Sequence, residues 1–261
     1  MIIYFSATGN SRIVAALLSK ELSDSAVIDI RGDMLTLSAS TSLDARGEQR
    51  IVWVFPVHAW AVPDMLADFM SKVDIAGAEQ SIHHMVCTCG DDIGMTDRKW
   101  RRLMSARGWQ TGVCASVRMP NTYVTFPGFD VDSKTVESAK LAAATTRVNE
   151  IAAMIKGQGS KLVESVVRGF FPRFKSGTLK RFFKHFLMDP TKFGATDACI
   201  SCGLCATVCP TCNISLSDGL PKWGSTCMIC LACYHVCPRH AVKYGRQTRR
   251  KSQYQSGLKK L

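Results

Sequence analysis

The first 157 residues alternate between two rhythms of apolar positions. Residues 1–5, 26–30, 51–55, 82–88 and 113–117 are short, nearly continuous apolar runs, as in parallel strands covered on both faces. His83 and His84 make the fourth run less uniform. Between the runs, apolar residues recur at helical spacing: Ile13, Val14, Leu17 and Leu18 within 10–22, then 63–73, then 96–107 with Thr96 as candidate N-cap and Gly108 just beyond. An alanine-rich helix over 132–156, carrying Val136, Leu141, Val148, Ile151 and Ile155, closes the series. Five strands alternating with helices predict an α/β domain over 1–157, a doubly wound five-stranded parallel sheet. Ligands of such sheets sit beyond the carboxyl ends of the strands, so the loops there carry the chemistry.

The first of these loops, Ser6-Ala7-Thr8-Gly9-Asn10-Ser11, lies between a strand and a helix. Its backbone N–H groups and those of the helix N-terminus suit an anion, with the hydroxyls of Ser6, Thr8 and Ser11 completing the shell. No Gly-Lys-Ser/Thr ending marks an ATP loop, and no GxGxxG marks a dinucleotide site. Many hydroxyls and no lysine suit a phosphate monoester held without a counter-cation, and the loop resembles the phosphate loop of flavodoxins. The second loop, Pro56-Val57-His58-Ala59-Trp60, offers Trp60 to cover a planar ring, although Trp60 also serves as plain packing between helix and sheet. His58 reads as a solvated loop residue ahead of a proton donor. The third, Thr88-Cys89-Gly90-Asp91-Asp92-Ile93-Gly94, offers backbone groups to a polar ring edge, and its two aspartates also suit capping. The fourth, Met119-Pro120-Asn121-Thr122-Tyr123, brings Asn121 and Tyr123 within reach. Cys87 and Cys114 fall within strands and read as core. Cys89 alone does not make a nucleophile.

Beyond a Gly-Gln-Gly-Ser boundary at 157–160 the pattern changes. Residues 158–192 form a basic, phenylalanine-rich connector, expected to clamp two domains together, with an amphipathic membrane-surface helix as the lesser reading. Residues 193–261 hold a doubled motif. Cys199, Cys202, Cys205 and Cys209-Pro210 follow the spacing C-x2-C-x2-C-x3-C-P, and Cys227, Cys230, Cys233 and Cys237-Pro238 repeat it. Three thiolates at steps of three wrap one 4Fe–4S cubane, and the fourth, followed by proline, reaches the other. The expected ligand sets are therefore crossed: Cys199, Cys202, Cys205 and Cys237 for one cluster, Cys227, Cys230, Cys233 and Cys209 for the second. Zinc needs neither the third spaced cysteine nor the proline, and a chain this long needs no disulfide framework. The repeat continues past the cysteines, pairing Ile214 with Val242 and Leu216 with Tyr244 as short strands, with Asp218-Gly219 as a turn. Cys212, whose repeat partner is His240, reads as a thiol beside a cluster rather than a ligand.

Charge sharpens the division. The net charge is +12, yet residues 161–192 carry eight Lys/Arg against Glu164 and Asp189, a balance of +6, and residues 243–261 carry seven with no acid. The remainder is close to neutral. No nucleic-acid recognition motif accompanies these patches, so nucleic acid is set aside. A solvated basic face is the plainest reading of the patches; as a partner, an acidic redox protein is expected ahead of a membrane surface. No apolar run reaches the roughly 18 residues of a membrane span. No secretory signal precedes the first strand, and unpaired thiols with oxygen-sensitive clusters suit a reducing cytoplasm.

Across nearly all 261 residues the chain resembles the fused flavodoxin–ferredoxin proteins of anaerobic prokaryotes, the EFR1 family ferredoxins. The resemblance rests on the loops 6–11, 88–94 and 119–123, on Lys222-Trp223 before the second cysteine run, and on Ala241-Val242-Lys243-Tyr244-Gly245 after it. His58 departs from it, standing where such relatives would carry tyrosine. The resemblance implies a flavodoxin-like domain followed by a small α+β bacterial two-cluster ferredoxin domain. It implies FMN and two 4Fe–4S clusters as cofactors, and electron transfer between them. Two activities follow: a carrier linking one-electron donors to the flavin, or an FMN-dependent reductase of a small quinone, nitro or enone substrate. A redox sensor is the third and duller expectation.

Overall fold

A computed structural model describes residues 1–24, 26–36, 40–158 and 161–257. Parts of two stretches named above, Gly159-Ser160 and the tail residues 258–261, lie outside the described residues. The sheet at the centre of the N-terminal part has six strands rather than five. These are β1 (Ile2–Tyr4), β2 (Val27–Asp29), β4 (Arg50–Pro56), β6 (Ile82–Cys89), β7 (Gln110–Arg118) and β8 (Val163–Ser165), in the order β2-β1-β4-β6-β7-β8, all parallel. The first five strands in that order are the doubly wound arrangement whose chain reverses beside β1. The sixth comes from the start of the connector. Val163 pairs with Val113 and Ser165 with Ala115, too short a run to stand out as a strand in the sequence. A separate parallel pair, β3 (Ser42–Asp44) with β5 (Asp74–Ala76), flanks the sheet.

Alternation along the strands fills both faces. Ile3, Trp53, Phe55, Met85 and Cys114 point to one side, with α3 (Asp64–Lys72) and α4 (Thr96–Ala106), while α2 (Asp33–Thr36) supplies Leu35. Ile2, Val52, Val54, Val113 and Ala115 point to the other, under α1 (Asn10–Leu22) and α5 (Lys134–Gln158). Thr96 is the first residue of α4 rather than its cap, because its hydroxyl donates to Ile93 O at 2.6 Å. His83 and His84 are fully buried inside β6 as acceptors. Trp53 Nε1–H donates to His83 Nδ1 at 3.0 Å and Val113 N–H to His84 Nδ1 at 2.9 Å. Cys87 and Cys114 are core, as expected.

After β8 the connector is helical over 172–187. It mixes α turns, α6 (Pro172–Phe174) and α7 (Lys180–Phe182), with wider π turns at Lys175–Leu179 and Phe183–Leu187. The C-terminal module pairs β9 (Phe193–Ala195) with β12 (Val242–Tyr244) and β10 (Ile214–Ser217) with β11 (Leu220–Trp223). Two short helices, α8 (Leu204–Thr207) and α9 (Ala232–Val236), follow the cysteine loops. Asp218 and Gly219, both at positive φ, make the β10–β11 turn.

Candidate functional site

The loops at the carboxyl ends of β1, β4, β6 and β7 enclose a cleft of about 360 Å³, within the size range of small-ligand sites. Ser6, Thr8, Asn10, Ser11, Pro56, His58, Trp60, Thr88, Cys89, Gly90, Asp91 and Asn121 all line it. Gly9 does not. It turns at φ 93°, and a side chain there would collide with the carbonyl of Gly257, where the C-terminal tail crosses the loop.

The loop hydroxyls divide their work differently from the expectation. Ser11 Oγ shares a 2.8 Å hydrogen bond with Thr88 Oγ1 and so ties α1 to β6. Asn10 donates to Pro120 O at 2.9 Å and accepts from the Tyr254 hydroxyl at 2.7 Å, so its side chain braces the cleft. Of the loop hydroxyls, that of Ser6 is buried with no hydrogen-bond partner. A buried orphan hydroxyl is costly unless a ligand answers it. The first-turn N–H groups of α1 also lack helix carbonyls. Together they fit a phosphate.

The β4 loop is a tight reversal. His58 and Ala61 exchange 3.0 Å backbone hydrogen bonds around Ala59 (φ 45°) and Trp60 (φ 56°), two side-chain-bearing residues in the left-handed region. The Trp60 ring meets Phe183 of the connector edge-on at 5.5 Å. Desolvation on the cleft wall, opposed by Asp64 and reinforced by Lys180, pulls the His58 pKa down to about 4, so the ring is neutral at physiological pH. Burial pushes Cys89 up to about 12, which disfavours its thiolate. Asp92 caps Gly94 N–H at 3.1 Å and also receives Lys175 at 2.5 Å. Asn121 presses on Gly90, where a side chain would collide with its amide, and is held by Asp132 at 2.9 Å and 3.2 Å.

The cysteine runs repeat at an offset of 28 residues, and their backbone repeats with them. Left-handed φ angles recur at Ser201 and Ile229 (55° and 52°), Gly203 and Leu231 (74° and 64°), and Cys212 and His240 (49° and 52°). Asn213 N–H donates to Cys209 Sγ at 3.3 Å, matched by Ala241 N–H to Cys237 Sγ at 3.2 Å. Such bonds favour the thiolate form that iron binds. Cys199, Cys202, Cys205 and Cys237 line one recess. Cys209 lies near Cys227, Cys230 and Cys233, close enough for their charges to interact. Burial first, then the neighbouring thiols, raises Cys230 to about 12. Four thiolates there need a cationic metal group in place of their protons. Among the described residues no three His, Cys, Asp or Glu side chains gather around a point as a single ion requires. Cys212 is exposed, and its repeat role is the left-handed turn it shares with His240.

Four cleft residues come from the second cysteine loop itself: Met228, Ile229, Cys230 and Leu231. Lys175, Phe183 and Met188 of the connector complete the wall. Nothing local in the sequence marks these contributors, because they reach the cleft only through tertiary packing. The connector is held to the α/β part, and through its polar face. Ser176 Oγ accepts from Met95 N–H at 2.8 Å and donates to Trp60 O at 2.7 Å, and Lys180 and Lys184 grip Asp64. Most of its phenylalanines point outward. A second tie was also invisible in the sequence. His235, buried in α9 between Cys233 and Cys237, donates from Nε2 to Thr122 O at 2.7 Å and accepts Tyr254 N–H at 3.1 Å. Tyr254 in turn reaches Asn10, so the second cysteine loop, the β7 loop and the phosphate-type loop are joined by one chain of hydrogen bonds.

A 4Fe–4S binding domain family matches residues 195–211, the first cysteine run. The chain contains a ferredoxin domain. Iron–sulfur electron transfer and at least one 4Fe–4S cluster therefore belong to its chemistry, with a flavodoxin-like α/β fold preceding them. Comparison with curated proteins yields no match. Among solved structures, a Streptococcus pneumoniae TIGR4 flavodoxin is similar at 14% identity, covering 59% of this chain and 95% of its own, with a TM-score of 0.37. An FMN-dependent NADH-azoreductase from Bacillus anthracis stands at 13%, 59% and 97%, with a TM-score of 0.36. An NAD(P)H:quinone oxidoreductase from Methanothermobacter marburgensis stands at 12%, 57% and 94%, with a TM-score of 0.31. Among the described residues, no helix is long and apolar enough to cross a membrane.

Proposed function

We propose that the chain is an iron–sulfur flavoprotein of the EFR1 type, passing single electrons between two 4Fe–4S clusters and an FMN held in the cleft. The observation that carries this reading is the shared wall: Met228, Ile229, Cys230 and Leu231 line the same cleft as Ser6, Thr88 and Asn121. A ligand there touches the second cysteine loop directly. When bound, the clusters exchange electrons singly and the flavin stores one or two. Cys199, Cys202, Cys205 and Cys237 would hold the outer cluster, and Cys227, Cys230, Cys233 and Cys209 the inner one. Ser6, Thr8 and the first-turn N–H groups of α1 would take the phosphate. The backbone of Gly90 and Asp91 would meet the polar ring edge, with Trp60 on the wall. The arrangement sets an order of outer loop, inner loop, cleft. The donor is proposed to be an acidic redox protein in the cytoplasm, and its association rate should fall as salt shortens the screening length; a rate flat with salt removes the steering argument.

Rapid mixing with a one-electron donor tests the order by following cluster bleaching and flavin reduction separately. In a Cys202→Ala/Cys230→Ala variant, flavin reduction should collapse; a full rate without clusters sinks the relay. The cleft assignment has its own test. Ser6→Ala should weaken FMN by about 1–3 kcal/mol, the cost of unmade bonds to a charged group, and leave riboflavin binding unchanged. Equal FMN affinity in both proteins would remove the phosphate from this loop.

One observation favours the reductase as a second reading. A side cavity of about 400 Å³ shares His58, Ala59, Met188, Met228 and Ile229 with the cleft and adds Met65, Lys180 and Lys184. It has room for a small acceptor beside the flavin. Turnover of a quinone, nitro compound or enone by the reduced protein at about 1 per second or more would favour it.

A further inference from the structure

The connector helix has two unlike faces. The inner face is spent on the protein. Lys175 binds Asp92, Ser176 binds Trp60 and Met95, Lys180 and Lys184 bind Asp64, and Phe183 packs on Trp60. The outer face is a phenylalanine ridge. Phe174, Phe182 and Phe186 lie on the helix, the last two with ring centroids 5.1 Å apart, and Phe170 and Phe171 stand just before its first residue, Pro172. Exposures are 85% for Phe170, 78% for Phe171, 55% for Phe174, 49% for Phe182 and 66% for Phe186. Single exposed apolar residues are ordinary on protein surfaces, but five exposed phenylalanines in one short segment are not.

The fringe of the ridge is cationic. No acidic residue occurs between Phe170 and Met188. Arg173 and Arg181 reach no carboxylate among the described residues. Lys99 and Arg102 of α4 stand near Arg181 and Lys180. Burial, and then repulsion by Lys180, Arg102 and Arg181, lowers the Lys99 pKa even against Asp64. A helix lying flat on the surface, with aromatic rings outward and unpaired cations along its flanks, has the composition of an in-plane membrane anchor. No described helix is long enough to span a bilayer, so the segment would lie on it.

We propose that the ridge formed by Phe170, Phe171, Phe174, Phe182 and Phe186 docks this protein on an anionic lipid surface. The rings enter the interface between headgroups and acyl chains, and Arg173 and Arg181 pair with lipid phosphates. A protruding ridge fits a deformable lipid surface better than a rigid partner, which would need a complementary groove. The inner face of the same helix walls the cleft through Lys175 and Phe183 and the side cavity through Lys180 and Lys184. Docking therefore places at the membrane boundary the segment that walls both cavities. The proposal does not depend on which cofactor fills the cleft.

Vesicle flotation of the full chain, loaded with its cofactors, tests this. The probes are vesicles of phosphatidylcholine mixed with phosphatidylglycerol, and vesicles of phosphatidylcholine alone. The protein should float with the anionic vesicles, and less so at high salt. Phe170→Ser/Phe171→Ser/Phe174→Ser should lower its partition at least about tenfold through lost apolar burial. Arg173→Gln/Arg181→Gln should lower it and flatten the salt dependence. A Phe171→Trp variant keeps the ridge apolar, and its emission should be quenched by vesicles of brominated lipid. Three results overturn the proposal: a parent protein that stays in the aqueous phase with both vesicles, partition that the serine variant leaves unchanged, or a stable complex with a soluble protein through the ridge when vesicles do not bind.

Discussion

The two cysteine loops share spacing, left-handed turns and N–H···S bonds, yet they live in different surroundings. In the outer loop Ile200 is 59% exposed, and Ser201, Cys202, Leu204 and Thr207 are also exposed. At the equivalent inner positions Ile229, Ala232 and His235 are buried, and Met228 and Cys230 are half-buried. The repeat therefore specifies two similar cysteine loops, and the packing of one of them against the sheet makes them unequal. Exposure and hydrogen bonding to sulfur are what tune such clusters. An outer loop open to solvent suits contact with a donor, and an inner loop walled into the cleft suits delivery.

The largest expected consequence is in iron retention. Anaerobically purified protein should hold about eight irons per chain, four for each cubane. Exposed to air and a chelator, it should lose the outer half quickly and the inner half slowly. Cys237→Ser should damage the fast-bleaching cluster and Cys209→Ser the slow one, because each reaches across to the other loop. Loss of all iron in one phase would erase the contrast, and about four irons or stoichiometric zinc would erase the two-cluster reading itself.

A second contrast lies at Thr207 and His235, equivalent positions in the repeat. Thr207 is exposed and makes one long bond, 3.4 Å to Gly203 O. His235 is buried and answers both Thr122 O and Tyr254 N–H. Leaving two buried groups unanswered costs about 1–3 kcal/mol each. His235→Phe should therefore destabilise by about 2–5 kcal/mol and free the tail at Tyr254 for proteolysis, while Thr207→Ala should change little. Equal effects of the two substitutions in denaturant melts would mean that α9 is not the seam between the parts.

How much of this was legible in the sequence depends on where the causes lie. Strand runs, helices and the doubled cysteine motif are local patterns, and each element appears close to its expected bounds. The edge strand β8 was not legible, because three residues beside β7 carry no periodicity of their own. The cleft loops were legible from their place after the strands. Their division of labour was not, since the partners that occupy Ser11 and Asn10 are Thr88, Pro120 and Tyr254, distant in the chain. The connector misled for the same reason. Phenylalanine beside two domains suggested packing, yet Lys175, Ser176 and Lys180 make the inward contacts and leave most of the rings outside.

Acid should act on the sheet that seats the inner loop. Burial lowers the pKa of both His83 and His84 to about 4, with bonding to Ala78 O opposing it at His83 and Arg50 adding to it at His84. The unfolded chain takes up these protons below about pH 6.5 and the folded one does not. Stability is then full above about pH 6.5 and falls as pH drops toward 4, by about 2 kcal/mol per histidine at pH 5. His83→Gln can still accept from Trp53 and donate to Ala78 O without titrating, so it should remove about 2 kcal/mol of the loss at pH 5, while His84, His58 and His235, also lowered to about 4, keep theirs. Denaturant midpoints at pH 7 and 5 measure this, and equal midpoints in the parent would refute it.

The smallest expected effect separates the loops most finely, since it uses one substitution at two equivalent turns. Ser201 and Ile229 both hold left-handed φ, which costs a side-chain-bearing residue about 1–2 kcal/mol. Glycine relieves that strain and gives back part of the gain through a freer unfolded chain, about 0.5–1 kcal/mol. Ser201 is exposed and loses little packing, so Ser201→Gly should stabilise by about 0.5 kcal/mol. Ile229 is 5% exposed and packs in the module core beside Leu231 and Tyr234. Its removal forfeits a buried aliphatic side chain and opens a cavity, about 2–5 kcal/mol. Strain relief offsets only part of this, so Ile229→Gly should destabilise by about 1–3 kcal/mol. Melts of the cluster-loaded variants give both signs. Two stabilising substitutions would mean that Ile229 contributes no packing and that the inner loop is as loosely seated as the outer one. Two destabilising substitutions would mean that the turn at Ser201 carries a contact beyond its backbone. Opposite signs at two positions with the same φ would show that the surroundings, not the repeat, set the difference between the two loops.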